Sequence, residues 1–302
     1  MKILLTGKHG QLGFELQRSL APLGDIHAVD VAECNLSDAE SFRTLVREVK
    51  PDLIVNPAAY TAVDRAESEP GLARAINTVA PGILGEEARK LGAWVIHYST
   101  DYVFDGARQG AYVETDATNP QSVYGTTKRD GELALQRSGC RSLILRTSWV
   151  VGAHGGNFAR TILRLAAERE SLNVVADQWG APTSAALLAD VTAQMVGRAR
   201  REGLDDFPFG LYHVAAGGET HWCDYARFVI ERAVAAGQPL KLGPENIRAI
   251  TTAEYPTPAK RPANSRLDTR LFRSTFGLEL PDWHSGVAHI LDQILGGVTD
   301  SP

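Results

Sequence analysis

The stretch MKILLTGKHGQLGFELQRSL, residues 1–20, decides the fold. Lys2–Thr6 is a short apolar run, as a buried strand requires. Gly7, Gly10 and Gly13 follow, and Gln11–Leu20 then carries apolar residues at helical spacing. A glycine turn between a first strand and a first helix lets the backbone approach a pyrophosphate. The helix N-terminus behind it supplies N–H groups and a partial positive charge. Glycines also serve ordinary tight turns, and the spacing here is G-x-x-G-x-x-G. The position favours a dinucleotide, held by Gly7, Gly10, Gln11, Leu12 and Gly13.

The same rhythm continues outward. Strands are expected at Ile26–Asp30, Asp52–Asn56, Trp94–Ser99 and Ser142–Thr147. Helices are expected at Ala39–Val49, Gly71–Leu91 and Ser122–Arg137. The runs ILL, LIV and LIL lack period-two alternation, as strands covered on both faces do. The fold class is therefore α/β, a doubly wound parallel sheet with a smaller substrate-binding lobe. The rhythm breaks near residue 150, with a helix at Ser184–Arg200 and a late strand at Gly210–Val214. Residues 1–150 are expected to form the dinucleotide-binding domain, with returning segments near 184–214. Residues 151–183 and 217–302 are expected to form the substrate-binding lobe.

Further cofactor contacts follow from this frame. Asp30 ends the second strand, 23 residues after Gly7, where a carboxylate bonds ribose hydroxyls and repels a 2′-phosphate. Val31 and Ala32 bring no compensating arginine, so NADH is favoured over NADPH. Asn35 and Leu36 are assigned to the cofactor as well. In NPAAYTAVD, after the third strand, the small Ala58 and Ala59 let backbone lie against it, beside Tyr60 and Thr61.

Composition excludes other classes. The chain has 302 residues, 44% hydrophobic and 22% charged, with a net charge of −5. That balance gives no footprint for nucleic acid or an anionic membrane. No apolar run approaches the ~20 residues of a membrane helix, and the N-terminal run is too short for a signal peptide. Cys34, Cys140 and Cys223 have no metal-ligand spacing and suit reduced thiols in the cytoplasm.

The chemistry is expected in STDYVFDG, residues 99–106, and YGTTK, residues 124–128. Strand C-terminal ends carry the ligands of open α/β sheets, which puts Thr100, Asp101 and Tyr102 at the crevice. Tyr124 and Lys128 stand four apart on a helix and share a face. An ordinary surface aromatic–cation pair would have the same spacing. With the strand-end hydroxyl, the pair can instead converge on one carbonyl oxygen.

In this order, the glycine turn, the strand-end Thr100 and Tyr-x-x-x-Lys resemble the extended short-chain dehydrogenase/reductases. GKHGQLG, VNPAAYTAVDRAES, VIHYSTDYVFDG, VYGTTK, LILRTSWV, DQWGAPT, GLYHVA and RPANSRLD together are similar to their dTDP-4-dehydrorhamnose reductase branch, over nearly the whole chain. The resemblance implies reduction of the C4 ketone of dTDP-4-dehydro-L-rhamnose, the last step to dTDP-L-rhamnose. It implies Tyr124 as general acid and Lys128 as its partner, with Thr100 where many relatives carry serine. It places Val63, Asp101, Tyr102 and Trp149 at the sugar, Arg261 at the diphosphate, and Asn264 nearby. It also implies Mg²⁺ at a homodimer interface, on Glu15, Asp190 and Asp292.

The physics agrees with that assignment. Hydride arriving at a ketone carbon drives charge onto its oxygen, which needs a proton as the barrier is crossed. A free tyrosine, at a pKa of about 10, is a reluctant exchanger near neutrality. A lysine ammonium nearby is expected to lower it, and Lys128 can also hold the nicotinamide ribose. Two other readings stay open. One is a non-catalytic nucleotide-binding subunit of the methionine adenosyltransferase type. The other is a nucleotide-sugar epimerase or dehydratase that recycles its NAD⁺. Thr100 is followed by Asp101 and Tyr102, not by the Asp-Glu pair of a dehydratase.

Overall fold

A computed structural model describes residues 1–296. Six strands form the central sheet: β1 (Lys2–Thr6), β2 (Asp25–Val29), β3 (Leu53–Asn56), β4 (Trp94–Thr100), β5 (Arg141–Thr147) and β6 (Gly210–His213). Their order is β6-β5-β4-β3-β1-β2, and every neighbouring pair is parallel. The chain leaves β1 toward β2, then returns past β1 to build β3 to β6 on the other side. The C-terminal ends of β1 and β3 therefore flank the point where the winding reverses, where such sheets bind ligands.

Successive strand residues point to opposite faces. Ile3, Leu5, Val55 and Ile96 pack under α1 (Gln11–Leu20) and α6 (Ala185–Glu202). Leu4, Ile54, Val95 and Ile144 pack on the opposite face, against α2 (Ala39–Val49), α3 (Ala80–Leu91) and α4 (Val123–Arg137). This double burial is why the strand sequences do not alternate. A third core joins α5 (Phe158–Glu168), α7 (Trp222–Ala235) and α8 (Trp283–Leu295) to the parallel pair Leu172–Val175 and Ile247–Ile250. Residues 297–302, part of the expected substrate lobe, lie outside the described residues.

One expected helix is broken. In place of a single helix over 71–91, Pro70–Arg74 leads through a π-helical turn, Ala75–Val79, into α3. Pro81 has no N–H to give the carbonyl of Asn77, and a widened turn absorbs the loss. That carbonyl faces α4 so closely that a Cβ at Gly131 would lie 2.0 Å from it. The turn thereby aims Asn77 and Thr78 at the helix that carries Tyr124.

Candidate active site

The glycine turn is built by contact. Gly7 is left-handed at φ +65°, and a Cβ at Gly13 would sit 1.9 Å from the Gly7 carbonyl oxygen. Only a bare backbone closes this tightly. Gly10 caps α1 without a side-chain bond, so the first-turn N–H groups of Gln11 and Leu12 remain for an anion. The Leu12 side chain is core. The Gln11 side chain turns away from the phosphate position. Its Oε1 accepts from Gly152 N at 2.8 Å and Asn157 Nδ2 at 3.0 Å, which ties the glycine-rich loop after β5 onto the N-terminal end of α1. Beside the turn lies a cleft of about 130 Å³, lined by Thr6, Gly7, Asp30, Asn35, Leu36, Ala58 and Ala59. Asp30 accepts from His9 N at 2.9 Å and Val31 N at 2.8 Å, so its carboxylate is fixed at the mouth of this cleft. These residues fit a dinucleotide, whose adenosine ribose would lie at Asp30 and whose pyrophosphate would lie at the helix end.

Tyr60 is held by its neighbours. Its N–H donates to Asn77 Oδ1 at 2.8 Å, its carbonyl accepts from Asn77 Nδ2 at 3.1 Å, and its hydroxyl donates to Glu69. Asn77 also reaches Thr127 Oγ1 on α4 at 3.2 Å. It thus locks the loop after β3 to the Tyr-x-x-x-Lys helix. Thr61 is exposed, and Val63 is half-buried at the start of a short helix.

Tyr124 and Lys128 do share the inner face of α4, but they do not meet. The Lys128 ammonium donates to the Tyr98 carbonyl at 2.7 Å and lies 3.4 Å from His97 Nε2. Burial lowers Lys128 to about 8, against an upward pull from Glu132. Burial raises the Tyr124 phenol, opposed by the Thr100 hydroxyl. The expected lowering of Tyr124 by Lys128 is therefore corrected: in this arrangement desolvation dominates, and the phenol holds its proton at neutral pH. Thr100 Oγ1 donates to Asp101 Oδ1 at 3.0 Å and accepts from Tyr102 N at 3.2 Å. Asp101 is buried, and burial pushes it up to about 6, against a downward pull from the Ser265 and Thr100 hydroxyls.

The crevice runs on from these groups. The Tyr102 ring meets the Tyr124 ring edge-on at 5.5 Å, and its hydroxyl accepts from Arg261 Nη1 at 3.3 Å. Arg261 is fixed by Asp64 at 2.7 Å. It stands at a cleft of about 360 Å³, with Phe158, Val174, Gln178, Trp222 and Tyr255 among the lining residues. Trp149 has a left-handed backbone, φ +49°. One of its faces stacks on Trp222 at 3.7 Å, and Gly180 leaves room for its edge. Asn264 does not face the cleft. Its amide donates to the carbonyls of Arg108 and Gly110 and accepts from Arg266, so its amide group is committed to loop structure.

The expected metal set is not brought together. Arg18 bridges Glu15 at 3.4 Å and Asp190 at 3.0 Å, whereas Asp292 pairs with Arg232 at 2.5 Å. Among the described residues no group of three or more His, Cys, Asp or Glu side chains could hold a metal ion. Nor is any helix among them long and apolar enough to cross a membrane.

Residues 1–295 match the family model described as RmlD substrate binding domain. The chain is 52% identical over 298 residues to the dTDP-4-dehydrorhamnose reductase of Escherichia coli strain K12, covering 97% of this chain and 98% of that protein. The chain belongs to the dTDP-4-dehydrorhamnose reductase family. Two solved members have the same architecture. The Clostridium acetobutylicum protein superposes with a TM-score of 0.88 at 34% identity, covering 97% of this chain and 99% of that one. The Bacillus anthracis protein, solved in complex with NADP, gives 0.86 at 32% identity over 96% and 98% of the two chains.

Proposed function

We propose that this chain reduces the C4 ketone of dTDP-4-dehydro-L-rhamnose to dTDP-L-rhamnose, using NADH or NADPH. The observation that carries the reading is the gathering of Thr100, Tyr124 and Lys128 at the end of β4, beside the glycine turn. The bound cofactor supplies the hydride. Tyr124 gives the ketone oxygen its proton, and burial keeps that proton on the phenol until it is needed. Thr100 stabilises the phenolate left behind, and Lys128 would hold the nicotinamide ribose. Arg261, already oriented by Asp64, meets the diphosphate, since a guanidinium presents paired donors to such oxygens. The apolar cleft under Tyr255 and Trp222 takes the nucleobase, with Trp149 against the sugar.

Residues 1–150 with 184–214 hold the cofactor, and 151–183 with 217–296 shape the sugar site. Asp30 favours NADH, because a 2′-phosphate would meet its carboxylate. A divalent cation at Glu15 and Asp190 would need ligands from a second copy, and has no part in this chemistry. The test is a panel of dTDP- and UDP-linked 4-ketosugars with NADH and NADPH, read by absorbance at 340 nm. The dTDP-linked 4-ketorhamnose should be the substrate turned over. Cofactor binding without turnover of any ketosugar would overturn the proposal and favour a regulatory subunit.

A further inference from the structure

Four polar side chains stand in a row inside this protein. Thr6, Asn56 and His97 lie on β1, β3 and β4, each 1% exposed, and Lys128 on α4 is 2% exposed. They occupy the sheet face that Leu4, Ile54 and Val95 fill one pleat earlier. Apolar residues would be the default there, because buried polar groups cost free energy unless fully partnered. Here each is partnered by the next. Thr6 Oγ1 lies 2.6 Å from Asn56 Oδ1, Asn56 Nδ2 lies 3.0 Å from His97 Nδ1, and His97 Nε2 lies 3.4 Å from Lys128 Nζ.

We propose that His97 is a positioning residue for Lys128: a neutral imidazole that ends the row from Thr6 and matches its hydrogen-bond polarity to the charge on the lysine. This rests on the catalytic reading of Tyr124 and Lys128 above. An ammonium has donors only, and a neutral imidazole has one donor and one acceptor. A charged Lys128 therefore needs Nε2 bare and the proton on Nδ1. That proton then needs Asn56 Oδ1, and the Asn56 amide N–H bonds turn to Thr6 Oγ1. An uncharged Lys128, with two N–H groups and a lone pair, accepts either order, including the reversed one with Thr6 donating to Asn56 Oδ1. A half-turn of one amide converts one into the other with the heavy atoms in place. Thr6 immediately precedes Gly7, so the row also fixes the lysine relative to the phosphate turn. The charged groups facing this pair are few. Glu132 lies one turn further along α4, bonded to Arg146 of β5 at 2.7 and 2.9 Å, and Asp101 lies at the end of β4.

The experiment measures kcat against pH for wild type, His97→Met, His97→Gln and Lys128→Met, and for the His97→Met/Lys128→Met pair. His97→Met should lower kcat about ten-fold and move the alkaline limb of its profile to lower pH, leaving the cofactor Kd unchanged. Glutamine, which can both donate and accept, should restore both. In the Lys128→Met background, His97→Met should add no further loss. If His97→Met does not fold, Asn56→Leu serves instead and should move the same limb in the same direction. An unmoved limb, or an equal loss without Lys128, would overturn the inference and leave His97 as packing. Full activity of Lys128→Met would instead overturn the catalytic reading beneath it.

Discussion

Replacing Lys128 by methionine tests the site through stability rather than turnover. Lys128 is 2% exposed, and burial takes its pKa from 10.5 to about 8. That drop corresponds to about 3 kcal/mol of folding free energy given up to keep a charge inside. Below pH 8 the lysine is charged in both states, and folding bears the whole cost. Between 8 and 10.5 the unfolded chain binds more protons than the folded one, so stability rises with pH. Above 10.5 both states are neutral and the cost is gone. Methionine has a similar shape and no charge, so its fold bears no such cost. Wild type should therefore gain about 2–3 kcal/mol relative to Lys128→Met between pH 7 and pH 10. Urea unfolding of both proteins at the two pH values, followed by tryptophan fluorescence, measures the difference, and all other titrating groups cancel. A stability difference that does not change with pH would refute the assignment of a buried, desolvated charge.

Three further outcomes follow from the geometry. Tyr124→Phe should lower kcat by about 10²–10⁴ and leave the cofactor Kd nearly unchanged, measured by fluorescence titration; full activity would remove Tyr124 as the acid. Gly13→Ala places a Cβ against the Gly7 carbonyl and should abolish NADH binding by calorimetry, whereas unchanged affinity would mean the turn does not hold the pyrophosphate. Asp30→Ala should weaken NADH more than NADPH, and an unchanged ratio of the two kcat/KM values would count against its ribose contact.

The sheet is legible in the sequence because its signals are local and repeated. Apolar runs bounded by turns place five strands to within a residue, as Ile26–Asp30 against Asp25–Val29 illustrates. The π-turn at Ala75–Val79 is hidden because apolar spacing continues through it. Pro81 is the one local warning. In the site, residues at strand ends are legible, because topology alone carries them to the crevice. Pairings between distant segments are not. Asn77 reaching Tyr60 and Thr127 depends on the π-turn, and Gln11 reaching Gly152 on a loop that returns from β5. The direction of the Tyr124 shift escapes the sequence because spacing gives proximity but not burial. His97 and Asn56 do leave a mark: each is a polar residue two places after an apolar one, Val95 or Ile54, within WVIHYST and DLIVNP and so on the same face. Their meaning requires the register of β3 on β4, which pairs Asn56 with His97.

Reduction at C4 of a dTDP-linked sugar, with Tyr124 as proton donor, can be followed atom by atom. The protein is incubated with dTDP-4-dehydro-L-rhamnose and NADH deuterated at C4, and the product is examined by NMR. Wild type should yield dTDP-L-rhamnose carrying deuterium at C4, and Tyr124→Phe should yield none in the same time. Deuterium at any other carbon, or equal product from both proteins, would rule the mechanism out.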